Sequence, residues 1–126
     1  MPRRVLVVDD EVDFLATYER LLRRQGYGVV TATSRAAGLA ALAGSPLHLL
    51  ISDLRLPDGD GLDVVRAARG AREPVPVIVV TGYPSAETRR AALAAGATTL
   101  LAKPFATTVL LAAIRSSVGG AEESAT

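Results

Sequence analysis

Five short apolar runs divide the chain, and segments with helical spacing lie between them. Each run is five or six residues long and is apolar almost throughout. A strand with one solvated face alternates apolar and polar side chains, so continuous runs indicate strands that are buried on both faces. The predicted strands are residues 4–8, 28–33, 47–52, 76–80 and 98–102.

The segments between these runs predict helices, because their apolar residues recur at helical spacing and cap residues or glycines mark their ends. The predicted helices are residues 14–25, 34–43, 61–69, 85–95 and a last one from soon after Phe105 to about Val118. Ser34 and Asp60 are the expected caps of the second and third helices. We expect one domain over residues 1–118, with 119–126 as a flexible tail or the start of a linker.

Strands that alternate with helices predict an α/β fold with a parallel sheet covered on both faces. Right-handed crossovers then give an open, doubly wound sheet. In such sheets the chemistry gathers beyond the carboxyl ends of the strands. The residues that follow the predicted strands and carry informative side chains or turns are Asp9, Asp10, Glu11, Asp53, Thr81, Gly82, Lys103 and Pro104.

At least three carboxylates would thus share a small space with one hydroxyl and one ammonium group. Like charges at such spacing repel by roughly several kcal/mol unless a cation intervenes. Mg²⁺ suits this set, because it takes oxygen ligands and needs only one or two carboxylates beside phosphate and water. Zinc does not suit it, since the chain has no cysteine and His48 is its only histidine.

Lys103 is unusual within this chain. Of the 14 basic residues 13 are arginine, and Lys103 is the exception. The compact ammonium group of lysine on its flexible side chain therefore suits this position better than the planar guanidinium group of arginine. Pro104 restricts the backbone after it and is a candidate for a cis peptide bond.

Composition narrows the classes of protein. The chain has 126 residues, 49% of them hydrophobic, and a net charge of +1 with scattered basic residues. These values predict a folded domain without an electrostatic footprint for nucleic acid. No apolar run approaches the about 20 residues that span a bilayer, and the first residues turn acidic too soon for a signal peptide. We expect a cytoplasmic protein that binds neither membrane nor nucleic acid.

Each candidate residue also has an ordinary structural explanation. Asp53 alone could mark a turn, and the acidic residues 9–11 could favour a helix N-terminus. Thr81 before a glycine is often a turn residue, and Lys103 alone is most often solvated. These separate explanations do not account for the whole set of residues, because the ends of four predicted strands place them all at one edge of the sheet.

Five segments together resemble the receiver domain of two-component response regulators. They are "VVDDE" (7–11), "SDLRLPDGDG" (52–61), "VVTGY" (79–83), "GA" (96–97) and "AKPF" (102–105). The resemblance covers about residues 3–118. It implies a flavodoxin-like, five-stranded sheet of order 2-1-3-4-5 with five helices in three layers.

The resemblance also implies a function. It predicts an aspartyl-phosphate switch that takes its phosphoryl group from a sensor histidine kinase or a histidine phosphotransfer protein. Catalysis would be limited to its own phosphorylation and dephosphorylation. Conformational change would pass through the face of the fourth helix, fifth strand and fifth helix to an output domain or partner, and a homodimer through this face is a further expectation. The chain would be either a stand-alone receiver or a fragment of a longer protein.

Site residues follow from the same resemblance. Asp53 is the expected phosphate acceptor, and Thr81 and Lys103 would each meet a phosphoryl oxygen. Asp10 and Asp53 would bind Mg²⁺ directly, Asp9 would hold a metal-bound water, and the backbone carbonyl of Arg55 would complete the protein's ligands.

Two features differ from the family or modify its behaviour. Leu100 stands where the family usually carries an aromatic ring that changes rotamer, so the usual aromatic readout is not expected, and Tyr83 is a candidate to take part instead. Arg55 and Tyr83 flank the phosphate in the family, and their bulk predicts slow autodephosphorylation.

On the last helix Leu110, Leu111 and Ile114 should face inward.

Two other functions remain open on the sequence. A phosphorylation-independent interaction module is one, and Leu100 is its best support. A phosphatase with an aspartate nucleophile is the other. Such enzymes usually carry D-x-D after the nucleophile strand and a substrate-covering insertion, and here every loop is short.

Overall fold

In the computed structural model, which describes residues 3–125 and the side chains through Val118, all five predicted strands are present. The strands are β1 (Arg4–Val8), β2 (Gly28–Ala32), β3 (Leu49–Asp53), β4 (Arg55–Leu56), β5 (Gly59–Asp60), β6 (Val77–Thr81) and β7 (Thr99–Ala102). Five of them form one parallel sheet of order β2-β1-β3-β6-β7. Since β4 and β5 pair only with each other, this is the predicted order 2-1-3-4-5, and the predicted fold class is confirmed.

Five helices cover the two faces of the sheet. They are α1 (Val12–Arg24), α2 (Arg35–Gly44), α3 (Leu62–Arg69), α4 (Ala86–Ala94) and α5 (Thr107–Ala125). Buried side chains of α1 and α5 pack on one face, and those of α2, α3 and α4 pack on the other. None of these helices, over the residues described, has the length and apolar character needed to cross a membrane.

The apolar strands explain the three layers. Along β1, Leu6 and Val8 pack with the α2–α4 layer, whereas Val5 and Val7 pack with α1 and α5. All four side chains are fully buried. Because successive side chains of a strand point to opposite faces, a strand buried in this way must be apolar at every position.

Local signals set the ends of the helices. The Ser34 side chain accepts a hydrogen bond from the Ala37 N–H at 3.0 Å and caps α2, as predicted. Asp60 is not the N-cap of α3 as predicted, since Gly61 holds that position, but Asp60 Oδ1 accepts a hydrogen bond from the Leu62 N–H at 2.9 Å. Gly96, which follows α4, has φ +110°, a backbone conformation that side chains other than glycine disfavour.

Three predicted boundaries were wrong, and the others agree within one residue. The first helix begins at Val12 rather than at residue 14. The third strand begins at Leu49, because residue 47 would lie opposite the chain before β1. The loop after Asp53 contains the β4–β5 hairpin. The last helix continues to Ala125 rather than ending near Val118, because two glycines weaken a helix by only about 1 kcal/mol each and helix-forming residues follow them. Whether residues 119–126 are flexible stays a prediction.

Tyr18 lies in the apolar layer between α1 and the sheet, and its side chain is buried. Its ring stands 6.3 Å from that of Phe14 and 6.0 Å from that of Phe105, measured between centroids. The hydroxyl has no hydrogen-bond partner among the described residues. Burial raises the pKa of Tyr18 well above its usual value, so the hydroxyl is neutral at physiological pH.

Replacing this tyrosine with phenylalanine should stabilise the domain. Tyr18→Phe keeps the ring and removes a buried hydroxyl without a partner, which costs about 1 to 3 kcal/mol when it is desolvated. We expect the free energy of unfolding in urea to rise by about 1 kcal/mol. The half-buried Tyr27 supplies the control, since Tyr27→Phe should change it by less than about 0.5 kcal/mol. A loss of stability in Tyr18→Phe would mean that the hydroxyl has a partner.

Candidate functional site

Four strand ends meet at one edge of the sheet and carry the predicted site residues. Asp9 follows β1, Asp53 ends β3, Thr81 ends β6 and Lys103 follows β7. The register aligns these ends, with Asp53 opposite Val80 and Thr81 opposite Ala102. The Lys103 N–H continues this alignment by donating to the Thr81 carbonyl at 2.8 Å. The topology therefore gathers residues that are up to 94 positions apart in the chain.

A cluster of carboxylates forms the floor of the site. Asp9, Asp10, Glu11 and Asp53 each offer a carboxylate oxygen, and these oxygens lie within 4.8 Å of one another. Asp9 is fully buried and Asp53 is 6% exposed, whereas Asp10 and Glu11 are exposed. At this separation each pair of charges repels by about 1 kcal/mol in water and about 3 kcal/mol near a protein surface. The cluster therefore needs cations close by.

Lys103 supplies one of these cations. Its Nζ donates to Asp9 Oδ2 at 2.7 Å, to Asp53 Oδ2 at 2.9 Å and to Glu11 Oε1 at 3.1 Å. The lysine side chain is only 6% exposed. An ammonium group has three N–H donors, so the three carboxylates use all of them.

Burial and charge oppose each other in this cluster. Burial raises the pKa of Asp9, and the hydrogen bonds from Lys103 and from the Glu11 N–H offset part of the increase. Burial alone would lower the pKa of Lys103, but the hydrogen bonds to Asp9 and Asp53 outweigh it and raise the pKa above its usual value. Lys103 is therefore fully charged at neutral pH, and the stability it contributes is lost only at strongly alkaline pH.

The loop after Asp53 is held by backbone contacts. The Arg55 N–H donates to Asp53 Oδ1 at 3.2 Å, and the β4–β5 hairpin closes the loop. A Cβ at Gly61 would clash with the Asp53 carbonyl oxygen, so glycine is required there. Asp58 accepts hydrogen bonds from the N–H groups of Ala36 and Arg35 at the start of α2, and these bonds lower the pKa of Asp58.

The mouth of the site is framed by Arg55 and Tyr83. The Arg55 guanidinium carbon lies 3.8 Å from the centroid of the Tyr83 ring, which is 63% exposed. Both side chains line a cavity of about 250 Å³, together with Asp10, Glu11, Asp53 and Gly82. Because the stack spans the loops after β3 and β6, it narrows the approach to Asp53.

Thr81 is connected to the same loop. Its side chain is buried, and its Oγ1 accepts a hydrogen bond from the Tyr83 N–H at 3.0 Å. Movement of the Thr81 hydroxyl would therefore pull on the backbone that carries the Tyr83 ring. Leu100, in contrast, is 4% exposed and packed in the core beside α4.

The structure brings together Asp9, Asp10, Asp53 and Lys103, and it places Thr81 on the adjacent strand end. The role of the Arg55 backbone carbonyl as a metal ligand stays a prediction. Glu11 was missed as a site residue, although three consecutive acidic residues after an apolar run were a signal for it. Nothing in the sequence indicated that the Arg55 and Tyr83 side chains would stack.

The donor set fits a hard divalent cation. All four side-chain candidates offer a carboxylate oxygen, two of the four are exposed, and Lys103 offsets only one of four negative charges. Mg²⁺ accepts such oxygens and keeps several waters, which the exposed side of the cluster leaves room for.

A family model described as "Response regulator receiver domain" matches residues 5–115. Among curated proteins, the acid tolerance regulatory protein ActR of Rhizobium meliloti is 40% identical over 112 residues, which are 89% of this chain and 58% of that protein. The transcriptional regulatory protein PrrA of Mycobacterium tuberculosis is also 40% identical over 112 residues, which are 89% of this chain and 48% of that protein. The chain thus spans about half the length of these relatives.

Solved structures agree with this match. A CheY-like receiver domain protein from Methanospirillum hungatei has a TM-score of 0.93 and 31% identity, with 98% of this chain and 99% of that chain covered. A response regulator protein from Burkholderia pseudomallei has a TM-score of 0.84 and 28% identity, with coverage of 98% and 73%. The latter was crystallised with a phosphorylated aspartic acid, a calcium ion and citrate.

Mg²⁺ should stabilise the domain through the carboxylate cluster. A ligand at ten times its dissociation constant adds about 1.4 kcal/mol to the free energy of unfolding. Asp10→Asn should remove most of this gain. Without Mg²⁺ the same variant should be more stable than wild type by about 1 kcal/mol, because one repulsive charge is gone. Urea titrations with and without Mg²⁺ measure both effects.

Asp13→Asn is the matched control, since it removes a carboxylate from the first turn of α1 outside the cluster. It should keep the full response to Mg²⁺. An Asp10→Asn protein that responds to Mg²⁺ as wild type does would place the ion elsewhere.

Proposed function

Since the chain belongs to the response regulator receiver domain family, we propose that it is a signalling switch that is phosphorylated on Asp53. The donor is a sensor histidine kinase or a histidine phosphotransfer protein, and the exchange takes place in the cytoplasm. The observation that carries the proposal is the position of the Asp53 carboxylate, whose Oδ2 accepts a hydrogen bond from Lys103 beside three other carboxylates. Asp53 also lines the cavity whose mouth Arg55 and Tyr83 narrow, so a donor can reach its carboxylate from this side.

The transfer is a displacement at phosphorus. One oxygen of Asp53 forms the new P–O bond, the P–N bond of the donor phosphohistidine breaks, and its electron pair returns to the imidazole. A carboxylate is a weak nucleophile, so alignment and charge neutralisation supply most of the rate. Asp53 is held for this step by the Arg55 N–H on one oxygen and by Lys103 on the other.

Mg²⁺ bound at the cluster would neutralise charge on the transferring group. Asp10, Asp53 and the backbone carbonyl of Arg55 would hold it, and Asp9 would hold one of its waters. The chain's own contribution comes from Lys103 and Thr81. Lys103 exchanges one carboxylate partner for a phosphoryl oxygen, and the Thr81 hydroxyl donates to another. Charge-assisted hydrogen bonds of this kind are roughly twice as strong as neutral ones.

The relay begins at Thr81. Its Oγ1 is bonded to the Tyr83 N–H, so a shift of the hydroxyl toward the phosphoryl group moves the loop after β6 and the Arg55–Tyr83 stack. The helix that follows can adjust easily, because Ala92 is the buried residue of α4 and its packing is shallow. Tyr83 thus takes the role that the buried Leu100 cannot perform.

The output face is formed by α4, β7 and α5. Leu93 on α4 and Val109 on α5 are 45% and 46% exposed, whereas Leu110 and Ile114 are buried as predicted and Leu111 is half-buried. We expect this face to bind a second copy of the chain or an output domain after phosphorylation. The matched region is only 58% of one curated relative and 48% of another, which supports an output domain beside the receiver domain.

Two alternative functions, a phosphatase and a phosphorylation-independent interaction module, fit the site less well. A phosphatase would need a cover over its substrate, and the loops at this edge of the sheet are short. A phosphorylation-independent module would need neither the carboxylate cluster nor Lys103. The complete set of acidic, hydroxyl and ammonium groups therefore favours the switch.

Acetyl phosphate with Mg²⁺ should phosphorylate the wild-type protein at Asp53. We expect intact-mass analysis to show a gain of one phosphoryl group in wild type and none in Asp53→Ala, because the acceptor oxygen is gone. Asp13→Asn is the control for a general loss of negative charge and should be modified normally. Lys103→Arg should be phosphorylated at least about tenfold more slowly, since the planar fork cannot place its charge as the ammonium does.

Two results would contradict this proposal. A wild-type protein that gains no mass would favour the interaction module. A gain that persists in Asp53→Ala would place the acceptor at another residue.

The phosphorylated protein should lose its phosphate slowly. The Arg55–Tyr83 stack covers the mouth through which a water must reach phosphorus, so Tyr83→Ala should shorten the lifetime by about three- to tenfold, or about 0.7 to 1.4 kcal/mol of activation free energy. Loss of mass with time after removal of acetyl phosphate gives the rate. Leu93→Ala, on α4 outside the mouth, should leave it unchanged. A wild-type lifetime of only seconds in Mg²⁺ buffer would contradict the role of the stack.

A further inference from the structure

The ammonium group of Lys103 has a fourth neighbour besides its three carboxylates. Its Nζ lies 4.3 Å from the centroid of the Phe14 ring. Phe14 is half-buried on the first turns of α1, at the border of the apolar layer that contains Tyr18 and Leu15. The lysine is therefore placed between acidic side chains and an aromatic face.

The contact between Lys103 and Phe14 is a cation–π interaction as well as a packing contact. A cation within about 6 Å of an aromatic centroid is attracted to the negative face of the ring, and the attraction grows when the cation is desolvated. The Lys103 side chain is 6% exposed, so the ring takes the place of water on this flank. A leucine would fill similar space but would offer no such face.

The ring itself is held in place. Its centroid lies 6.3 Å from that of Tyr18, whose centroid is 6.0 Å from that of Phe105. Phe105 stands two residues after Lys103 in the chain. The aromatic row of Phe14, Tyr18 and Phe105 thus connects α1 to the segment that carries the lysine.

A ring suits the change of partners that phosphotransfer requires. Lys103 uses all three N–H donors on Asp9, Glu11 and Asp53, and one of these bonds has to pass to a phosphoryl oxygen. A fourth carboxylate at this flank would compete with the phosphoryl group for the ammonium. The attraction to a ring has no preferred N–H direction, so the ammonium can exchange hydrogen-bond partners without losing it.

We infer that Phe14 is a positioning residue for Lys103. Its ring contacts the ammonium group on the side away from the carboxylates and keeps it in place while Lys103 exchanges hydrogen-bond partners. The inference rests on the proposed phosphorylation of Asp53 for its effect on rate. The contact itself belongs to the unphosphorylated protein and can be tested without phosphate.

The first test observes the ammonium group directly. Lys103 is the only lysine, so ¹⁵N-lysine labelling gives one side-chain signal in a ¹H–¹⁵N spectrum. Wild type and Phe14→Tyr, which keeps the ring, should show a shielded signal with slow hydrogen exchange. In Phe14→Leu the signal should move as the ring current is lost, and its exchange with water should be about two- to tenfold faster.

The second test measures phosphorylation by acetyl phosphate at saturating Mg²⁺. Phe14→Leu should react about two- to tenfold more slowly than wild type, and Phe14→Tyr should react within about twofold of it. Urea unfolding of each variant identifies any loss of stability. If Phe14→Leu is unfolded under assay conditions, Phe14→Met takes its place, since methionine is apolar and flexible enough to fill the gap.

The outcomes separate the two proposals. A Phe14→Leu protein with wild-type exchange and wild-type rate overturns the role of Phe14, and so does a Phe14→Tyr protein as impaired as Phe14→Leu. If the wild-type protein is not phosphorylated at all, the proposed function fails, and the exchange measurement alone still decides whether the ring holds the ammonium group.

Discussion

The ion pairs between one ammonium group and three carboxylates are the interaction on which the functional edge depends. Lys103 donates to Asp9, Glu11 and Asp53 at 2.7 to 3.1 Å, so one base joins three acidic side chains. Asp10 lies close to these three carboxylates but is not among the hydrogen-bond partners of Lys103. The cluster therefore retains negative charge, and this excess would favour a divalent cation at the edge of the sheet.

The sheet makes this concentration of charge possible. Parallel strands end at one edge, and the register of β3, β6 and β7 sets the depth at which each side chain emerges. Burial on both faces keeps these strands rigid, so the carboxylates cannot separate to relieve their repulsion. Charges that would move apart on a mobile loop are thereby held together, and the repulsion is available to favour ligand binding.

In the switch that we propose, conformational coupling runs through Thr81 and Tyr83 rather than through residue 100. Leu100 is buried against α4 and has neither a ring nor a polar group that could respond to phosphate. Tyr83 is exposed, is stacked on Arg55 and is bonded through its backbone to Thr81. The same residue thus lies at the mouth of the site and in the loop that leads to α4, so under the proposed function the lifetime of the phosphate and the response to it would depend on one group.

The architecture and the strand-end residues of the site could be predicted from the sequence. Apolar runs identify strands buried on both faces, and polar residues at their ends identify the functional edge, because backbone periodicity and burial are properties of local sequence. The contacts between these side chains became known only from the folded chain. Glu11 reaches Lys103, Phe14 covers the same ammonium, Arg55 stacks on Tyr83, and the loop after Asp53 folds into a hairpin. These contacts depend on helix packing and loop closure between distant segments, which no local pattern encodes.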